Sequence, residues 1–200
     1  MSSELAPGPA ANHRHAVQFY GSDESLFTTV ASFLAEGLVT QQPAIVIATA
    51  SHRTAIVEHL CGRLIDCEQA IRNEDLLLLD AEETLNLFMV GNLPDADLFE
   101  ANVGKVVEQT LAGRNRTVLR AYGEMVDVLW KQGRSDAAIK LEILWNKLAL
   151  KYNFALLCGY AMGSFYKQTQ QLEDVRAQHS HVIPCDSNVV PFERRIGKSA

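Results

Sequence analysis

Apolar positions along this chain fall into two alternating rhythms. Short, nearly continuous apolar runs recur at His15–Tyr20 (HAVQFY), Ala44–Ala48 (AIVIA), Leu76–Leu79 (LLLL), Thr117–Tyr122 (TVLRAY) and Phe154–Tyr160 (FALLCGY). Runs of this length, rich in Val, Ile and Leu and bounded by turn residues, predict strands buried on both faces. Between them the spacing switches to three and four. Leu26, Phe27, Val30, Phe33, Leu34 and Leu38 predict one helix, with Asp23 and Glu24 in its first turn. Ala55, Ile56, Leu60 and Leu64 predict a second, capped by Ser51. A short helix is expected around Thr84–Met89, and a longer one from Asp95 to about Ala112 with Gly113 just past its end. Another holds Met125, Val128 and Leu129 and stops at Gly133. The next, capped by Ser135, carries Ala138, Leu141, Trp145, Leu148 and Ala149. Phe165 to about His179 is polar and helical, and the chain beyond Ser180 is expected to be loose.

Strands alternating with helices give an α/β fold of three layers, a mostly parallel central sheet flanked by helices. The expected organisation is a disordered tail over 1–13, a folded domain over 14–166, and a C-terminal helix with a flexible tail over 167–200. In open parallel sheets ligands bind outside the carboxyl ends of the strands. That rule converts the strand assignments into candidate residues: Tyr20 at the first strand, Arg120 through Glu124 at the fourth with Tyr122 among them, and Cys158 and Tyr160 at the fifth. Glu142 and Trp145 join them from the helix before the fifth strand, and Asp23 and Glu24 from the first turn. Glu142 lies on an apolar stripe, so it must be paired or solvated, or shift its pKa upward; Arg120 is the expected partner. Glu124 at a helix start is equally explained as a cap. Trp130 and Trp145 read first as core, Cys158 as an inert buried thiol, and His15 as a surface or hydrogen-bonded residue. His52 and His59, seven apart, have nothing nearby in sequence to make a metal site.

Composition narrows the picture further. A hydrophobic content of 48% and a net charge of −6, with a mean hydropathy of −0.02, fit an ordinary globular domain and disfavour nucleic acid as the main partner. There is no apolar run of about 20 residues and no secretory signal at the start, so no membrane association and a cytoplasmic location are expected. The four cysteines Cys61, Cys67, Cys158 and Cys185 form no C-x-x-C pair, and free thiols follow. His179, His181 and Cys185 make a metal cluster on paper, but a solvated tail is the preferred reading. No metal and no cofactor are expected.

The segments HAVQFYGSDESL, AIVIATASHRTAI, LLLLDAEETLNLFM, RAYGEMVDVLW, LEILWNKLA, FALLCGY and HSHVIP, spanning about His15 to Pro184, resemble the MEDS domain, the sensory domain named for methanogens, methylotrophs and the dichloromethane regulator. That family is similar to the RecA/KaiC ATPase fold, in which an active first turn reads G-x-x-x-x-G-K-[ST] and cradles phosphates. Here the turn is Gly21-Ser-Asp-Glu-Ser, without the second glycine or the lysine and with two acids, a degenerate phosphate loop that disfavours a triphosphate. The resemblance implies a bacterial, non-enzymatic signalling domain. It would bind an unidentified small molecule at the carboxyl edge and act through a protein partner such as a histidine kinase or a transcription regulator, or through a homodimer. No output module follows Pro184, so signalling by association is expected. The alternatives are residual RecA/KaiC-like nucleotide binding or hydrolysis, with Glu124 as base and Asp80 on magnesium; a ligand-free interaction module; and a thiol sensor at Cys158.

Overall fold

A computed structural model describes residues 14–114, 117–165 and 169–183. In chain order the elements are β1 (Arg14–Tyr20), α1 (Asp23–Leu38), β2 (Ala44–Ala48), α2 (Ala50–Cys61), α3 (Cys67–Arg72), β3 (Leu76–Asp80) and α4 (Ala81–Asn86). The hairpin β4 (Met89–Val90) and β5 (Leu93–Pro94) comes next. It is followed by α5 (Ala96–Phe99), a π-helical turn (Glu100–Gly104), α6 (Lys105–Leu111), β6 (Leu119–Gly123), α7 (Met125–Lys131), α8 (Ser135–Lys151) and β7 (Phe154–Ala161). A 3-10 turn (Met162–Phe165), α9 (Thr169–Ala177) and β8 (His181–Ile183) complete the described chain.

Six strands form one sheet in the order β3-β2-β6-β7-β1-β8, and every neighbouring pair is parallel. Because side chains alternate across each strand, the sheet divides the core in two. Val46, Tyr122 and Leu157 face α1 and α2, where Leu26, Val30, Leu34, Ile56 and Leu60 are buried. Val17, Phe19, Ile45, Ala121, Leu156 and Cys158 face the other layer, where Phe88, Phe99, Leu141, Trp145 and Leu148 are buried. This is the three-layer α/β architecture expected from the alternating rhythms.

Several local expectations are corrected. α2 starts at Ala50 with Thr49 as its cap residue, so Ser51 lies inside the helix. Ser135 opens α8 rather than capping it. Leu64 is 96% exposed with φ at +64°, beyond the end of α2. Among the described glycines, Gly91, Gly113 and Gly133 adopt a left-handed φ. Residues 181–183 are not loose: β8 pairs with β1, His181 opposite Ala16 and Ile183 opposite Gln18, and Ser180 N–H donates to the His15 carbonyl at 2.9 Å. Its three residues were too few to carry a periodicity. The 1–13 and 184–200 segments, including Cys185, lie outside the described residues. Among the described residues no helix is long and apolar enough to cross a membrane.

Candidate functional site

The candidates do not converge on one point. They separate into two clusters because they lie on opposite faces of the sheet, and Arg120 belongs to neither. Arg120 pairs in register with Ala44, the first residue of β2, so it sits near the amino edge. Its side chain crosses Gly37 of α1, where an added Cβ would lie 2.8 Å from Arg120 Cδ. The guanidinium donates to the Phe33 carbonyl at 2.9 Å, to Gln42 at 3.1 Å and to Glu36 at 3.0 Å. The expected Arg120–Glu142 pair therefore does not form: Arg120 faces α1, Glu142 comes from α8, and the sheet stands between them. Arg120 instead lines a cavity of about 670 Å³ at the amino edge, with Phe33, Glu36 and Leu156.

The first cluster lies at the carboxyl edge. β2 continues into α2 on one face while β6 continues into α7 and α8 on the other, and β1 and β7 diverge in the same way into α1 and α9. These are topological switch points, where parallel sheets open a crevice. A carboxylate occupies each. Glu124 follows β6 and is only 4% exposed. Its side chain makes no cap bond to α7, so the capping account fails. Oε1 accepts the Thr49 N–H at 2.5 Å, at the amino terminus of α2, where the helix dipole favours an anion. Oε2 accepts from His52 Nδ1 at 2.6 Å and from the Tyr122 hydroxyl at 3.3 Å. Asp127, 2% exposed, joins β1 to β7. Its Oδ2 accepts the Tyr20 hydroxyl at 3.1 Å and its Oδ1 the Ala161 N–H at 3.0 Å. Lys131, one turn on, reaches Oδ2 at 2.7 Å from a half-exposed position. Burial, then the Asp127 carboxylate, hold the Tyr20 phenol far above its usual range; burial, then Glu124, do the same to Tyr122. Both tyrosines stay protonated as donors. An open cavity of about 390 Å³ fronts this network, lined by Thr49, Ser51, His52, Glu124, Asp127 and Lys131 among others.

Asp23 and Glu24 stand at the rim, 65% and 79% exposed at their side chains. Asp23 is 4.0 Å from His52 Nε2 and Glu24 is 3.3 Å from His59 Nε2. Sequence reasoning did not select His52 or Asp127: His52 was judged without the Glu124 partner that follows β6, and nothing in the sequence singled out Asp127. Asp80 is fully engaged as a cap for Glu82 and Glu83 N–H and as the partner of Arg53 at 2.7 Å; the Arg53 bond, foremost, keeps its carboxyl below the usual range.

The hydrogen bond that His52 donates to Glu124 raises the imidazole above its ordinary value, against burial, which lowers it. The folded state thus holds the His52 proton more tightly than the unfolded chain. Its contribution is fully present below the unfolded value of about 6.5 and is lost as pH rises through the raised folded value. The stability difference between the wild-type chain and His52→Asn should be largest below the unfolded value of about 6.5 and shrink as pH rises above it. Urea titrations across that range check it, and a difference that grows with pH would contradict the pairing.

The second cluster is sealed beneath α8 and α9. Glu142 is completely buried and accepts the Tyr160 hydroxyl on Oε1 at 2.9 Å and the Cys158 thiol on Oε2 at 3.4 Å. His15 Nε2 is 3.3 Å from Glu142 Oε2 and His179 Nε2 is 3.4 Å from Oε1. The two imidazoles lie 4.1 Å apart between centroids. Burial pushes the Glu142 carboxyl upward, but the facing imidazoles, His179 foremost, outweigh it and hold it below the usual range: the acid is paired, as expected, but with histidines rather than Arg120. For His179, burial lowers, but the facing Glu142 carboxylate and the bond to the Val175 carbonyl together outweigh it and raise the imidazole above its ordinary value. Burial, then Glu142, keep the Cys158 thiol protonated. His179 is therefore no part of a solvated tail: its side chain has no exposed surface. Trp145 is packed edge-on between Phe99 and Phe154 at 5.3 and 6.0 Å.

Compared with known proteins, residues 14–180 match the model of one family, MEDS, described as the MEthanogen/methylotroph, DcmR Sensory domain. No curated protein matches the chain.

Proposed function

We propose, on the premise that the chain belongs to the MEDS family of sensory domains, that it is a non-enzymatic signalling module whose ligand enters the carboxyl-edge cavity. One observation carries this reading: the two switch points of the sheet each hold a buried carboxylate, Glu124 and Asp127, behind an open cavity. A cavity backed by two anions suits a small neutral or cationic hydrogen-bond donor, such as a primary amine, and opposes a triphosphate. The β1–α1 turn supports the same view. In a RecA/KaiC-like fold it would be the phosphate loop, but here Asp23 and Glu24 occupy it, and Ser22 Oγ accepts the Ser25 N–H.

Lys131 supplies a route for exchange. Its ammonium is half-exposed, so a ligand cation can take its place on Asp127 and release α7 from that tie. Glu124 and Asp127 touch α2, β1, β7 and α7, and a change at either reaches both helical layers. The output is association with a signalling protein, a histidine kinase or transcription regulator, or with a second copy of the chain, in the cytoplasm.

Methylammonium, ethanolamine and guanidinium are suitable probes, each matched in ionic strength with sodium chloride. A saturable rise in melting temperature is expected with at least one of them. The rise should vanish in Glu124→Gln and Asp127→Asn, and ATP with magnesium should produce none. An amine-induced rise that persists in both variants, the absence of any saturable rise, or micromolar ATP binding would overturn the proposal.

A further inference from the structure

Four side chains of the sealed cluster direct lone-pair atoms at one point. His15 Nε2, Glu142, Cys158 Sγ and His179 Nε2 all lie within 4.8 Å of one another. The closest separations are 3.3 Å from His15 Nε2 to Cys158 Sγ, 3.3 Å from His15 Nε2 to Glu142 Oε2, 3.4 Å from Cys158 Sγ to Glu142 Oε2 and 3.4 Å from His179 Nε2 to Glu142 Oε1. A tetrahedral ion with bonds of ~2.0–2.3 Å has ligand-to-ligand edges of ~3.3–3.7 Å.

The surrounding bonds fix which atoms face inward. Asn146 Nδ2 must donate to the Gln178 carbonyl, at 2.9 Å, so its Oδ1 faces His15 and accepts from Nδ1 at 2.9 Å. His179 Nδ1 donates to the Val175 carbonyl at 2.7 Å. Each neutral imidazole therefore turns the lone pair of Nε2 toward the centre. This is the arrangement in which metal-binding histidines are held, the outer N–H donating to a carbonyl or amide oxygen. The Tyr160 hydroxyl steadies the carboxylate in the same way.

A proton on His179 alone would answer Glu142 Oε1 at 3.4 Å, but the centre would still lack a second donor. The one thiol proton of Cys158 cannot serve both His15 Nε2 and Glu142. Adding a proton to each imidazole would set two cations 4.1 Å apart beside a single carboxylate. His179 Nε2 is buried and makes no hydrogen bond at all, although it points at Glu142 from 3.4 Å. A divalent cation resolves every contact: two neutral imidazoles, one carboxylate and one thiolate sum with it to zero net charge.

We propose that His15, Glu142, Cys158 and His179 form a buried site for a zinc-like divalent transition-metal ion. On binding, the Cys158 thiol gives up its proton to solvent and its sulfur becomes a thiolate ligand; no redox change is involved. The ligands come from β1, α8, β7 and the residues between α9 and β8. A bound ion would fasten α9 and the edge strand β8 to the body of the domain. The site shares no residue with the carboxyl-edge cavity and stands independently of the ligand proposed there.

Cobalt(II) titrated into the chelator-treated full chain tests this directly. One equivalent should produce the visible spectrum of a tetrahedral site together with a thiolate-to-cobalt charge-transfer band, and zinc should displace both. The charge-transfer band should disappear in Cys158→Ser and persist in Cys61→Ser and Cys185→Ser. Asn146→Ala, which touches only the orientation of His15, should weaken zinc binding ~10–100-fold. That variant carries the test if Cys158→Ser does not fold, as judged by circular dichroism on the same samples. No tetrahedral spectrum, a charge-transfer band that survives Cys158→Ser, or unchanged zinc affinity in Asn146→Ala would each overturn the site.

Discussion

Glu142→Ala should destabilise the chain by about 3–5 kcal/mol when unfolding is measured with urea in the presence of a chelator. The carboxylate is completely buried, and its removal strands the groups that answer it: two imidazoles, the Tyr160 hydroxyl and the Cys158 thiol. In a domain of this size the loss corresponds to a fall in melting temperature of very roughly 6–20 °C. The contrast with Arg120 sharpens the expectation. Its carboxylate partner Glu36 has a side chain 70% exposed, so Glu36→Ala should change stability by no more than about 1 kcal/mol. Double-mutant cycles then separate the two faces of the sheet. Glu142 and His179 should show a coupling of about 0.5–3 kcal/mol, while Glu142 and Arg120 should be additive within about 0.5 kcal/mol. Strong coupling between Glu142 and Arg120 would contradict the arrangement described above.

Trp145→Ala should cost a similar amount, about 3–5 kcal/mol, by a different route. The indole is 1% exposed and sits edge-on to Phe99 and Phe154, beneath Gly123, where an added Cβ would meet it at 3.9 Å. Removing it leaves a cavity between α8, β6 and β7 that rigid strands cannot close. Because Trp145 is not among the residues lining the carboxyl-edge cavity, the amine-induced rise in melting temperature should survive in size while the starting temperature falls. Loss of that rise, with little loss of stability, would instead make Trp145 part of the ligand cavity.

The fold was legible where burial is symmetric. AIVIA is flanked by helices on both faces and is buried at all five positions, so a continuous apolar run sufficed to place β2, and four other strands followed from the same signal. Glycine and proline marked the ends. The pairing of side chains was not legible, because it depends on which face of a strand each residue occupies. Arg120 and Tyr122 lie on the α1 face and Cys158 and Tyr160 on the α8 face, a distinction of one residue in register. Grouping all four at the carboxyl edge merged two sites into one. Glu142 was recognised as an acid on an apolar stripe, but its partners came from the far ends of the described chain, His15 and His179. The (i, i+4) pair Glu142 and Asn146 on α8 was the one local hint that this face carries polar work. β8, three residues long, offered too little chain for any rhythm, and it is what places His179.

The position of β1 has a consequence for how the chain is made. Of the described strands it leaves the ribosome first, yet it lies between β7 and β8, the last two in chain order. At ~5–20 residues per second, roughly 7–30 s separate the completion of β1 from the appearance of β7. Through that interval β2, β3 and β6 can already pair with one another, while β1 has no neighbour to hydrogen-bond. The sheet thus assembles from its middle outwards, and the earliest-born of the described strands is the one that must wait to be enclosed.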